Sequence, residues 1–241
     1  MELRILKHGN LMGTPDAKEM LLRAGPGSDP AHQLWEEIAE IKTSFGYSGQ
    51  CTSALIIDEE RPEAFPALFD PSYLTVACDY MSTESIDRAL EAISAAGFSP
   101  AEIKSVLVSH FHPDHFDPRL LDNLHNAVAY SHAEAYIPGC QPLDQKKFGD
   151  SIVALNTPGH GGPHTSYLLK LPKYDLAVCL AGDLVMSHAH YLAREHPLSF
   201  TDPKEGLASI ATVWQELKQM KCKHALVFPG HGLPFFALED L

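Results

Sequence analysis

One short run of side chains restricts this sequence more than any other: Ser109-His110-Phe111-His112-Pro113-Asp114-His115, entered directly from the apolar stretch Val106-Leu107-Val108. Alternate residues of an extended segment point the same way. His110 and His112 can therefore share one metal ion, while Asp114 and His115 turn toward a second. Neutral imidazoles and a carboxylate are ligands that Zn²⁺ accepts. A lone histidine is more often an ordinary hydrogen-bonded residue, but four metal-competent groups within six residues at the end of a buried strand point to a metal site.

The same grammar recurs along the chain. An apolar run from Ile152 to Leu155 leads into Thr157-Pro158-Gly159-His160, and Leu176 to Leu180 leads into Ala181-Gly182-Asp183. A final run from Ala225 to Phe228 leads into Pro229-Gly230-His231-Gly232. Four strand ends present His or Asp, so the fold must gather strand termini along one edge. Residues 166–171 and 176–180 read as a hairpin, and Ala54 to Ile57 and Leu74 to Ala77 read as strands ending in Asp58 and Asp79. Residues 83–96 read as a helix with Thr83 as N-cap and Gly97 as its stop. A second helix is expected over about 203–220, with Pro203 in its first turn. Residues 10–50, rich in Gly, Pro and polar residues around one helical stretch from Ala31 to Lys42, read as a surface excursion.

The bulk numbers exclude several classes. With 241 residues and 45% hydrophobic content, a single domain spanning residues 1–241 is expected. The net charge of −13 argues against a protein that grips long nucleic acid through its phosphates, which leaves small-molecule substrates as the expected partners. No run of about 18 apolar residues and no signal-peptide pattern occurs, so neither a membrane span nor export is expected. Five cysteines without C-x-x-C spacing argue against a disulfide framework and fit a reducing cytoplasm. A homo-oligomer is left open, with residues 10–50 as the segment that would pack against a second subunit.

The motifs HFHPDH, TPGH, AGD and PGH, in that order across residues 52–232, resemble those of the metallo-β-lactamase superfamily. The resemblance implies an α/β fold, a four-layer αββα sandwich with metals at one edge. It implies one metal site from His110, His112 and His160 and a second from Asp114, His115 and His231, with Asp183 bridging both. Two divalent ions that activate water are implied, zinc being the expected metal and iron or manganese compatible with the same nitrogen and oxygen shell. Asp114 is implied to orient the nucleophile and shuttle its proton. His164 and Asp79 are implied to support the ligands, although relatives carry Asp-Thr-Gly where this sequence has Asp79-Tyr80-Met81.

Branch by branch, the resemblance narrows the activity. Classical β-lactamases of the superfamily lack an aspartate at the bridging position. Glyoxalase II enzymes add a helical carboxy-terminal domain, whereas this sequence runs ten residues past His231. Acyl-homoserine lactonases share the ligand set but usually place a tyrosine three residues after the bridging aspartate, where this chain has Met186. Tyr80, Tyr191 or a histidine would have to replace it. His188 and His190 are candidates for the substrate cleft or a solvated loop, and His196 reads as solvated. The expected activity is hydrolysis of an ester, lactone, thioester or related small-molecule bond. A phosphodiesterase or nuclease is the alternative, followed by an iron-dependent persulfide dioxygenase and a non-catalytic scaffold.

Overall fold

A computed structural model describes residues 1–9, 50–74, 83–132, 139–143, 147–160, 162–188, 191 and 202–237. The expected excursion over residues 10–49, with its helical stretch Ala31 to Lys42, lies outside them, as do residues 75–77 of the expected strand from Leu74 to Ala77.

Two six-stranded sheets organise the described residues. The first runs in order β1 (Glu2–Lys7), β2 (Ser53–Ile57), β3 (Ala67–Phe69), β4 (Ser105–Leu107), β5 (Val128–Ser131) and β6 (Cys140–Pro142). Its first three strands are antiparallel and the rest parallel. The second sheet contains β7 (Lys147–Phe148), β8 (Ile152–Asn156), β9 (Thr165–Leu171), β10 (Leu176–Gly182), β11 (His224–Pro229) and β12 (Phe235–Phe236), antiparallel except where β10 meets β11. Helix α1 (Glu84–Ala95) follows β3, and helix α2 (Pro203–Gln219) follows β10.

The layering follows from period-two alternation in strands buried on both faces. In β2 and β3, Ala54, Ile56, Ala67 and Phe69 point inward, where they meet Tyr167, Leu169, Leu176, Val178 and Leu180 of the second sheet. Leu55 and Leu68 point the other way, onto Ile86, Ala89 and Ile93 of α1. In the second sheet Leu168, Ala177 and Cys179 face outward onto Val213, Trp214 and Leu217 of α2. Three apolar layers thus separate helix, sheet, sheet and helix, which is the αββα sandwich. Tyr167 fastens the two sheets from within: its hydroxyl lies 3.0 Å from the Val108 carbonyl and 3.1 Å from that of Tyr130.

The helix ends agree with their sequences. Asp202 caps α2, its Oδ1 accepting from the amides of Lys204 and Glu205, and Pro203 stands in the first turn. Thr83 precedes α1 but makes no side-chain cap bond, and Gly97 with φ +87° ends it. No helix among the described residues is long and apolar enough to cross a membrane.

Candidate metal centre

Five strands end on one edge of the sandwich and deliver the site. β4 runs into His110, His112, Asp114 and His115. β8 runs into His160, β10 into Asp183 and β11 into His231. The fifth, β3, ends at Asp70. The edge is sewn together by backbone bonds from Thr165 to Ser109 (2.7 Å) and from Thr52 to Gly230 (2.7 Å).

The ligand-bearing atoms fall into two sets. His110, His112, His160 and Asp183 form one, and Asp114, His115 and His231 the other, with the atoms of each set within 4.8 Å of one another. In the first, Nδ1 of His112 lies 2.8 Å from Nε2 of His110 and 3.2 Å from Nε2 of His160. In the second, Nε2 of His231 lies 3.4 Å from Nε2 of His115 and 3.3 Å from Oδ2 of Asp114. Asp183 stands between them. Its Oδ2 faces His160 at 3.2 Å and His110 at 3.9 Å, and its Oδ1 faces His115 at 3.1 Å and His231 at 3.3 Å.

These spacings test whether a cation fits. Ligands about 2.05 Å from a tetrahedral zinc ion stand about 3.3 Å apart, close to most of the separations above. The orientation of the rings agrees as well. Nδ1 of His115 lies 2.8 Å from the Asp70 carboxylate, and Nδ1 of His231 lies 3.0 Å from the Gln50 carbonyl. Each partner accepts, so each ring donates from Nδ1 and turns Nε2 inward, the nitrogen left to coordinate once its own proton is released. Ser109 donates through Oγ to Asp70 (2.6 Å) and accepts from Nδ1 of His110 (2.9 Å), which leaves His110 in the same tautomer.

The electrostatics of the two sets differ. Burial pushes His110 well below the ordinary imidazole value, lowers His112 and takes His160 down to about 4, so the three imidazoles of the first set are neutral at neutral pH. Burial also opposes charging of His115 and His231, but nearby carboxylates outweigh it. Asp183, with Asp114 and Asp70, holds His115 well above its usual value, and Asp183 and Asp114 raise His231 to about 9. Protons on these two rings balance Asp183, which they hold well below the carboxylate range against the effect of burial. Cations can replace those protons.

Two glycines permit the geometry. A Cβ on Gly230 would sit 1.9 Å from Oδ1 of Asp183. At Gly182, where φ is +54°, it would meet Cβ of Ser109 at 2.6 Å and Nε2 of His164 at 2.7 Å.

No family model matches the chain. A curated Xenopus laevis protein, metallo-β-lactamase domain-containing protein 1, is 28% identical over 186 residues, which cover 69% of this chain and 70% of the relative. Among solved structures, a putative metallo-β-lactamase from Thermotoga maritima superposes with a TM-score of 0.58 at 17% identity over 98% of both chains. This is a metallo-β-lactamase-fold protein. AidC, a dizinc quorum-quenching lactonase solved with a product N-hexanoyl-L-homoserine, also shares the fold, with a TM-score of 0.54 at 19% identity over 77% of this chain and 74% of its own.

Within this metallo-β-lactamase fold, the buried His164 lies beside the ligands, its ring centroid 5.2 Å from that of His110 and its Nδ1 2.8 Å from Oγ1 of Thr157. Asp70, fully buried, supports the ligands: it binds the Ser109 amide (2.8 Å), the Ser109 hydroxyl and His115. Asp79, Tyr80, His190 and His196 lie outside the described residues. Tyr191 and His188 pack against β12. The Tyr191 hydroxyl accepts from Nε1 of Trp214 (3.0 Å) and its ring stacks on Phe235, as does that of His188, in the packing between β12 and α2. Met186 is buried, and its carbonyl accepts the His231 amide at 2.8 Å. Its backbone therefore shapes the ligand loop.

Sequence reasoning missed Asp70, Ser109, Thr157 and Phe111. The Phe111 ring lies 4.8 Å from that of His112 and is 40% exposed, while His112 and Asp114 are only partly covered. These residues mark the side from which the centre can be approached.

Proposed function

We propose that this chain is a metal-dependent hydrolase that holds two divalent ions, zinc by preference, and cleaves an ester, lactone, thioester or related bond of a small molecule. The observation that carries the reading is Asp183, whose two oxygens face separate nitrogen sets at 3.1 to 3.3 Å. One carboxylate placed in that way is suited to bridging two ions. His110, His112 and His160 would hold one ion, and Asp114, His115 and His231 the other. When bound, the ions supply Lewis acidity and bring the pKa of water toward roughly 7.

The protein's own groups do the rest. Asp114 is the ligand carboxylate that stays partly exposed, with 12% of its side chain accessible. Its position suits orienting the attacking oxygen and carrying a proton toward the leaving group. Asp70 and the Gln50 carbonyl keep His115 and His231 in the tautomer whose Nε2 faces inward. Phe111 gives an incoming molecule an apolar surface next to His112. The dizinc lactonase of the same fold supports the lactone among the candidate bonds, and the absence of a tyrosine at Met186 separates this chain from the usual lactonase pattern.

The reading is tested by metal content per chain together with hydrolysis of a lactone, a thioester, a phosphodiester and a β-lactam. Two zinc ions, with turnover abolished in Asp183→Ala, are expected. One iron per chain would move the assignment to a dioxygenase, turnover of the phosphodiester alone to a nuclease, and two ions without turnover of any member to a scaffold.

A further inference from the structure

β1 ends in Lys7, a lysine with only 5% of its surface exposed. A buried ammonium is costly unless acceptors and countercharges surround it. Here Nζ donates to the Ser72 carbonyl and lies 4.3 Å above the Tyr73 ring. Burial lowers the lysine's pKa from its ordinary value, and the fields of Cys51 and of two carboxylates at the metal centre, Asp114 and Asp70, oppose that shift.

Ser72 is what Lys7 holds, and Ser72 brackets Asp114. Its hydroxyl donates to the Pro113 carbonyl at 2.6 Å, and its amide donates to the His115 carbonyl at 3.2 Å. The carbonyls of the two residues that flank Asp114 are thus fastened to one buried serine. Two residues earlier in the same turn, Asp70 fixes the His115 ring, and Cys51 donates through Sγ to the Asp70 carbonyl at 3.4 Å. Among the described residues, neither His112 nor His160 bonds to Lys7, Cys51, Asp70 or Ser72, and His110 reaches Asp70 through Ser109.

We propose that Lys7 is a positioning residue for the second ion, pinning Ser72 so that Asp114 and His115 are set in place for a cation they share with His231. The assignment rests on the dinuclear reading above. It predicts a sign that simple electrostatics does not. Removal of a positive charge beside a cation site should by itself tighten cation binding, whereas loss of a positioning contact should weaken it, and only at the second site.

The experiment is zinc titration of the full chain against a competing chromophoric chelator, with zinc counted per chain, for the wild type, Lys7→Met and Ser72→Ala. The wild type is expected to take two ions. Both variants should keep the first with unchanged affinity and lose about 10- to 100-fold for the second, the range seen when a group supporting a ligand is removed. Should Lys7→Met fail to fold, Ser72→Ala still decides, because it keeps the ammonium and its contact with the Ser72 carbonyl and deletes the hydroxyl's bond to the Pro113 carbonyl, along with the one it accepts from the Leu74 amide at 3.2 Å. Unchanged affinity, a tighter second ion, or equal weakening of both ions in Ser72→Ala overturns the assignment while leaving the dinuclear reading intact. A wild type that takes up one ion overturns both.

Discussion

Gly230 is needed for what it lacks. Its amide is tied to the Val185 carbonyl at 2.9 Å and its carbonyl accepts from Thr52, so the loop cannot retreat to make room for a Cβ that would fall 1.9 Å from Oδ1 of Asp183. Gly230→Ala should therefore push the carboxylate out of line and weaken metal binding by about 10- to 100-fold. Zinc competition titration reads this directly, and unchanged affinity would mean that the loop yields more easily than its bonds imply. The residues that gather in the two sets were legible in the sequence because each motif places a metal-competent group just beyond an apolar run. Asp70 was not. Asp58, Asp70 and Asp79 all follow apolar stretches, and the strand before Asp70 has only three residues, Ala67–Phe69, so Leu74 to Ala77 offered the stronger pattern. Asp70 also takes a φ of +40°, a conformation that aspartate tolerates and that no sequence pattern announces. Lys7 was hidden differently: a lysine at a strand end reads as solvent-facing until Tyr73 and Ser72 close over it.

The elements that the sequence pattern captured are mostly the long ones, with the three-residue β4 as an exception. β9, β10 and α2 each carry five or more buried residues in a regular repeat, whereas β3, β6, β7 and β12 have two or three residues and exist only because neighbouring strands pair with them. Pairing is a tertiary property, so such strands leave no local trace. One joint between elements is open to test. Tyr167 is fully buried between the sheets, and its hydroxyl is directed at the carbonyls that follow β4 and end the β5 pairing. The Tyr130 carbonyl also accepts the Val108 amide at 3.0 Å, so the Val108 carbonyl is the more dependent on Tyr167. Tyr167→Phe keeps the ring and strands that acceptor, which should cost about 1–3 kcal/mol in denaturant unfolding. A value near zero would mean that the hydroxyl contributes nothing to joining the sheets. At the start of α2, Asp202→Ala removes the acceptor for two helix amides and should cost about 1 kcal/mol. Its own amide still reaches the Gly159 carbonyl at 3.0 Å, so zinc content should not change. If zinc were lost, the cap would be holding the His160 loop as well.

On the scale of the whole molecule, two sheets bring three buried or nearly buried carboxylates, Asp70, Asp114 and Asp183, to one edge, and something cationic must balance them. Without metal, that role falls to protons on His115 and His231. His231 titrates at about 9, above the ordinary imidazole value, so its ion pairs stabilise the metal-free protein fully below pH 6.5. That contribution is lost as the pH rises through 9. Metal binding runs opposite to this, because the nitrogens must be unprotonated to coordinate. Zinc uptake at pH 7 should therefore release about two protons per chain, one from each ring. The number should fall toward zero for His231 above pH 9, and zinc affinity should rise across the same interval while metal-free stability declines. Calorimetric titration in two buffers of different ionisation enthalpy measures the release. Release of no protons at pH 7 would mean that the rings are neutral before metal arrives, and that the carboxylates are balanced by some other charge, for which the buried Lys7 is a candidate.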